Sequence, residues 1–257
     1  ALVAMLSQAG RIGFDTKDIR AALGLCSVIN PVALSSNGVI IYARKRTGAT
    51  LGTAATQKLA AANGLLIPRS FGATQGRRAM ATFEVLASDP SGGPGLAFTS
   101  VTQTIPTGLS DPDQFTNGPC FIGGVAITKV TSIQVTPNLT PIVDVGDGNA
   151  NPVEVAISSR LPRIVIEGTD TTLASTLGYG AVEIDDDFRV FFRAVTANGL
   201  PIADATASHI MIGGTTGIVK VTSIGAEGRV RILIVPSKPS GSAILSHTLD
   251  TAIADAA

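Results

Sequence analysis

The sequence predicts a mainly β protein: two tandem β-sandwich or barrel-like domains, each with one short flanking α-helix. Three observations predict it. Short β-branched stretches recur along the chain between turn-formers, and 28 Gly and 14 Pro in 257 residues supply the turns that a strand-rich fold needs. Hydrophobic residues make up 45% of the chain while aromatics are only 4% and Trp is absent, so the apolar content is largely Ala, Val and Ile, which suits thin sheets. The third observation is that one pattern is written twice.

Residues 163–178, RIVIEGTDTTLASTLG, carry that pattern most clearly. Arg163 to Glu167 is a short β-branched strand; Gly168 breaks it, and Thr169 or Asp170 caps a helix. Leu173 and Leu177 then share one helical face, and Gly178 stands where a C-terminal glycine belongs. The same order appears from Arg11: Phe14, the run 15–18, then Ile19, Ala22, Leu23 and Gly24. The echo continues, with 39–44 answering 189–193, Lys58 answering His209, Gly64 answering Gly217, and 79–85 answering 229–235. Several weak matches in one order at nearly constant spacing read as an internal repeat.

Taken in order, the first unit is residues 1–120. Its helix is expected over 15–23, with strands near 39–44, 65–68 and 80–87 and an undecided helix or loop over 49–63. In 80–85, Met80, Thr82 and Glu84 alternate with Ala81, Phe83 and Val85, so one face is apolar. Residues 88–119 read as a long linker or assembly arm outside either core. They are rich in turn-formers, with a strand near 97–105, and are far longer than the usual loop of about 4–6 residues.

The second unit is residues 121–257, with two strands over 121–137, extended chain through 142–145, a tight turn at 146–149 and clean alternation over 153–157. Its helix is expected over 169–177, followed by an acidic hairpin at 183–187, a strand at 188–195 and a short helix or arm over 247–257. The units are unequal, because the second has far more strand ahead of its Arg163 than the first has ahead of Arg11. Either 121–157 completes the first unit in space or the copies have diverged there.

Nineteen basic and nineteen acidic residues cancel. Nucleic-acid affinity comes mostly from neutralising phosphates, so a neutral chain is a poor nucleic-acid binder. Arg44, Lys45 and Arg46, with Arg77 and Arg78, are the only basic clusters, and read as solvated strand ends or subunit contacts. Cys26 and Cys120 have neither metal-site spacing nor the density of a disulfide framework, and read as free thiols. No stretch approaches the roughly 18 continuous apolar residues of a membrane span, and no signal-peptide pattern opens the chain, so a soluble protein made in a reducing compartment is expected.

The chemistry-bearing motifs are weak. His209 and His247 lack ligand-spaced partners, and His209 reads as a satisfied surface histidine on a strand edge. Residues 213–220, GGTTGIVK, lack the phosphate-loop pattern and read as a glycine turn. Residues 144–149 lack the oxygen ligands of a calcium loop, and Asp185, Asp186 and Asp187 read as solvated. No nucleophile elbow is present. No catalytic, cofactor-binding or metal residues are therefore expected, no cofactor is expected, and an enzyme is the last choice.

The order of pieces through Pro68, Arg69 and Ser70, then 79–85, Gly118 and Pro119, 128–135, Asp147 and Gly148, and 162–170, resembles tail tube proteins of tailed bacteriophages. The resemblance implies a small β-sandwich or barrel with one flanking helix, six such domains closing a ring around a channel. A duplicated chain is similar to the variant in which three two-domain subunits make a pseudo-sixfold ring. The family implies no catalytic residues.

The function expected from the resemblance is a virion structural protein, the major tail tube subunit, assembled in the host cytoplasm into stacked trimeric rings that form the channel for DNA delivery. Its partners would be itself and other virion tail proteins. DNA would pass without specific binding, which agrees with a neutral chain, and no membrane would be engaged. The lumen strands are expected near 39–46, 80–85, 189–195 and 229–235. The alternatives are a capsid coat or decoration protein, or a two-domain binding or adhesin module; the adhesin would want exposed aromatics, and the chain offers only Tyr42 and Tyr179 with no Trp.

Overall fold

Alternating and β-branched stretches become strands almost throughout. The structure, a computed structural model, describes residues 6–7, 11–34, 40–47, 50–61, 63–101, 113–146, 148–172, 175, 180–184, 187–224, 228–237 and 244–254. The first half contributes β1 (Leu6–Ser7), β2 (Arg11–Thr16), α1 (Ile19–Leu25), β3 (Val32–Leu34), β4 (Ile40–Thr47), β5 (Thr50–Ala61), β6 (Asn63–Thr74), β7 (Met80–Ser88) and β8 (Leu96–Val101). The middle contributes β9 (Gln114–Ile122), β10 (Val125–Ile127), β11 (Val130–Thr136), β12 (Leu139–Asp144) and β13 (Glu154–Arg160). The rest contributes β14 (Arg163–Gly168), β15 (Gly180–Ile184), β16 (Phe188–Val195), β17 (His209–Gly214), β18 (Gly217–Ile224), β19 (Arg229–Pro236) and β20 (Ser246–Thr251). The chain is mainly β, built of several antiparallel sheets in a sandwich-like arrangement.

The strand pairing repeats. In the first half β2 pairs β7, β7 pairs β6 and β6 pairs β3, while β5 lies between β4 and β8. In the second half β14 pairs β19, β19 pairs β18 and β18 pairs β15, while β17 lies between β16 and β20. Each strand of one set has its counterpart at the same place in the other. The two four-stranded sets are joined by β11, which pairs β6 on one side and β14 on the other, giving one ten-stranded sheet with β1 at its edge.

The segment 121–157, whose allegiance the sequence left open, is shared out. The hairpin of β9 and β10 extends the second half's sheet through β16. Strand β11 is the bridge, and the β12–β13 hairpin covers β6 and β7 of the first half through Leu139, Val155 and Ile157 against Ile67 and Leu86. The boundary drawn at 120/121 lies inside β9. A single buried cluster runs through both halves, from Ile12, Leu23 and Phe83 to Ile133, Ile166, Phe192 and Ile232.

Four local expectations need correction. The linker 88–119 is not a free arm, because Leu96–Val101 pairs β5, Gln114–Ile122 pairs β16, and Phe115 is buried in the core; residues 102–112 lie outside the described residues. The undecided stretch 49–63 is the long strand β5, paired on both sides. Residues 246–251 form a strand on β17's free edge instead of a helix or arm.

The first helix begins at Ile19, not at residue 15, because β2 keeps pairing with β7 through Thr16. Asp18 is its cap, its carboxylate accepting from the Ala21 N–H at 2.9 Å, and Gly24 lies inside the helix. Of the second helix, Thr172 and Ser175 are helical and the Ser175 N–H donates to Thr171 O at 3.0 Å; Leu173 and Leu177 lie outside the described residues.

Helix α1 buries Ile19, Ala22 and Leu23, and packs on β20 as well as on β7. Arg20 ties it across the chain, reaching Asp113 at 2.7 Å and Asp250 at 2.6 Å.

Candidate functional site

The residues singled out in the sequence are mostly structural in place. His209 is fully buried, not a surface group. Its Nδ1 accepts from the Ala194 N–H at 3.0 Å, so Nε2 carries the proton and donates to Ala203 O at 3.1 Å. Both ring nitrogens are engaged, and none is left for substrate or metal. Burial holds His247 below its ordinary pKa, against a backbone hydrogen bond at Leu23 that pulls the other way.

Both cysteines are free and buried. Burial pushes the Cys26 thiol up to about 12, and burial likewise raises Cys120 despite a backbone hydrogen bond at Phe191, so neither is a nucleophile at neutral pH.

Gly213 and Gly214 close β17 against Phe188. A Cβ on the first would lie 2.6 Å from Phe188 O, and one on the second 2.6 Å from the Phe188 ring, so packing and not phosphate demands glycine there. In the turn after β12, Asp144 accepts from the Gly146 N–H at 2.8 Å, and Asp147 lies outside the described residues. Asp187 pairs with Arg189 at 2.6 Å, while Asp185 and Asp186 lie outside the described residues. Among the described residues no three His, Cys, Asp or Glu side chains are grouped to hold a metal. Among them, too, no helix is long and apolar enough to cross a membrane.

Asp170 caps the second helical turn. Its carboxylate accepts from the N–H and hydroxyl of Thr172 at 3.0 and 2.6 Å, and from the N–H and hydroxyl of Thr128 at 2.7 and 2.9 Å. Burial raises its pKa, but these four hydrogen bonds outweigh it and hold the carboxyl at about 2.

Glu84 sits between two arginines, Arg11 at 2.6 Å and Arg69, whose Nη1 also donates to Leu139 O at 2.6 Å. That bond fastens the β12 hairpin to the sheet. The remaining face of β7 follows the alternation read from sequence, with Ala81, Phe83 and Val85 buried. Strand β16 is largely buried along its length. Phe188, Val190, Phe191, Phe192 and Ala194 are buried, while Arg189, Arg193 and Val195 are only partly covered.

The arrangement that sequence reasoning missed is a cleft of about 550 Å³ where the two halves meet. One wall is the β6–β7 turn with Arg77 and Arg78. The opposite wall is the turn 196–200 after β16, with Arg193 between them. Arg77 and Arg78 are exposed and have no ion pair among the described residues. Arg193 is three-quarters buried at 26% exposure; its Nη2 meets Asp204 at 2.5 Å and its buried Nε has no partner. Sequence marked the pair Arg77–Arg78, but nothing in it signals that Arg193 joins them.

Compared with known proteins, the chain matches no protein-family model, and no curated protein sequence matches it.

Proposed function

We propose that this chain is a virion structural protein, the major tail tube subunit of a tailed bacteriophage, and that three copies close a pseudo-sixfold ring which stacks into a DNA-conducting tube. The observation that carries this reading is the repeated strand pairing, β2-β7-β6-β3 and β14-β19-β18-β15, each accompanied by a three-stranded set. Two like units per chain make six from three chains, and closed cyclic symmetry is the common outcome of repeated self-contacts.

Two further features support self-assembly. Among the described residues, β15 ends the large sheet and β4, β8, β10 and β20 end the three- and five-stranded ones, leaving edges that a neighbouring copy can extend. Ile218 and Val235 face each other across β18 and β19 while exposed, and Ile142, Val143 and Val145 are exposed along and just beyond β12. Apolar groups grouped this way mark contact surfaces. The balanced charge of the chain suits a conduit that DNA slides through without sticking.

Negative-stain images and sedimentation velocity of the purified protein test the reading. Tubes or rings of three chains are expected. Closed shells or single chains at all concentrations would overturn it, and rings of six whole chains would overturn the pseudo-sixfold count.

A further inference from the structure

We infer that the cleft between the β6–β7 turn and the turn after β16 is a binding site for a multivalent oxyanion, a carboxylate or phosphate group held by Arg77, Arg78 and Arg193. In a chain whose charges cancel overall, three arginines line one cavity and none of its lining residues is acidic. Arg193 already holds Asp204, but Arg77 and Arg78 have no ion pair among the described residues, and low-dielectric walls focus their field on whatever anion enters. Guanidinium forks match carboxylate and phosphate oxygens in pairs.

The site is also preorganised. The turn that carries Arg77 and Arg78 is pinned on each side, by the Gln75 N–H to Thr131 O at 2.7 Å and by the Ala79 N–H to Phe115 O at 2.7 Å. Thr116 adds a bond from its hydroxyl to Arg77 O at 3.2 Å. Across the cleft the second turn is closed by the Gly199 N–H to Thr196 O at 2.8 Å. Gln114, Asn117 and Asn198 also line the space between, the Asn117 amide already donating to Val130 O.

An adjoining hollow of about 310 Å³ shares Arg193, Asn117 and Val130 with the cleft and adds Lys129; its one carboxylate, Asp204, is already on Arg193. Asp15 shares a separate hollow with Arg77 and Arg78 but ion-pairs with neither.

The anion has two sources, acidic side chains of a second copy, which rests on the tube reading, or a free small molecule. Isothermal titration with citrate and with inorganic phosphate tests the site itself. Wild type should bind citrate saturably, Arg77→Ala with Arg78→Ala should weaken it roughly tenfold or more, and Arg160→Ala, which removes a charge elsewhere, should not. Both substituted arginines are exposed, so the double variant should keep the wild-type melting temperature. Absence of saturable binding, or equal affinity in the double variant, overturns the inference.

Sedimentation of the same proteins identifies the source. Assembly blocked by citrate and by the double substitution supports carboxylates of a neighbouring copy. Assembly indifferent to both supports a free anion. Wild type that never assembles overturns the tube reading instead, and the titration still decides the site.

Discussion

Gly64 and Gly217 answer each other in the sequence and hold similar places in the structure, each within the first two residues of the strand that pairs with the last strand of its set. They are not equally constrained. A Cβ on Gly64 would lie 2.0 Å from Leu86 O with φ at +116°, whereas one on Gly217 would lie 3.1 Å from Val235 O at ordinary φ. Gly64→Ala should therefore cost about 1–3 kcal/mol or more, and Gly217→Ala distinctly less, measured as the difference in urea midpoints. His209 shows the opposite limit of legibility. Its residue type and strand were readable, but its burial was not, because the groups that satisfy it, Ala194 N–H and Ala203 O, arrive from the preceding strand and loop. His209→Leu should leave both without partners, at about 1–3 kcal/mol each. Equal stability of that variant would show that the ring does no structural work.

Among the elements, those with strict alternation were the most legible. Strands β7, β13 and β14 follow the pattern read from their residues, since one face of each meets the core and the period of two records it. Stretches rich in Ala, Thr and Gly, such as β5, carry no such record, and their strand state comes from neighbours on both sides. The capping turn at Asp170 was legible as a cap, but its second tie to Thr128 was not. This tie gives a pH dependence. The carboxyl is held at about 2 in the folded chain against an ordinary 3.8, so the stabilisation is complete above about pH 4 and is lost as pH falls through 2. Asp170→Asn should flatten the acid limb of the stability profile between those values, read from urea unfolding at successive pH. An unchanged limb would show that the turn opens before the carboxylate protonates.

At the scale of the molecule, the repeat was legible and the joining of its copies was not. Local patterns record which face a strand buries, but not that β11 would bridge two sheets or that one core would run through both. The same blindness hid the cleft, whose arginines come from opposite halves. A shared core should unfold as a unit, so circular dichroism and a fluorescent label on the second half should report one coincident urea transition. Two separated transitions would show that the halves are energetically independent despite the common sheet. Arg69→Ala is a sharper probe of the outer layer: loss of the bonds to Glu84 and Leu139 O should loosen the β12 hairpin and speed amide exchange there before global unfolding.

The packing of α1 on β20 sets a clock. Arg20 and Asp250 are separated by 230 residues in the chain, and ribosomes add roughly 5–20 residues per second, so the helix waits on the order of ten to fifty seconds for that strand to be made. Throughout that interval the part of the helix surface that β20 covers stays uncovered. The nascent chain is thus exposed to premature aggregation in proportion to translation time, and chaperone capture during synthesis should raise its yield more than capture after release.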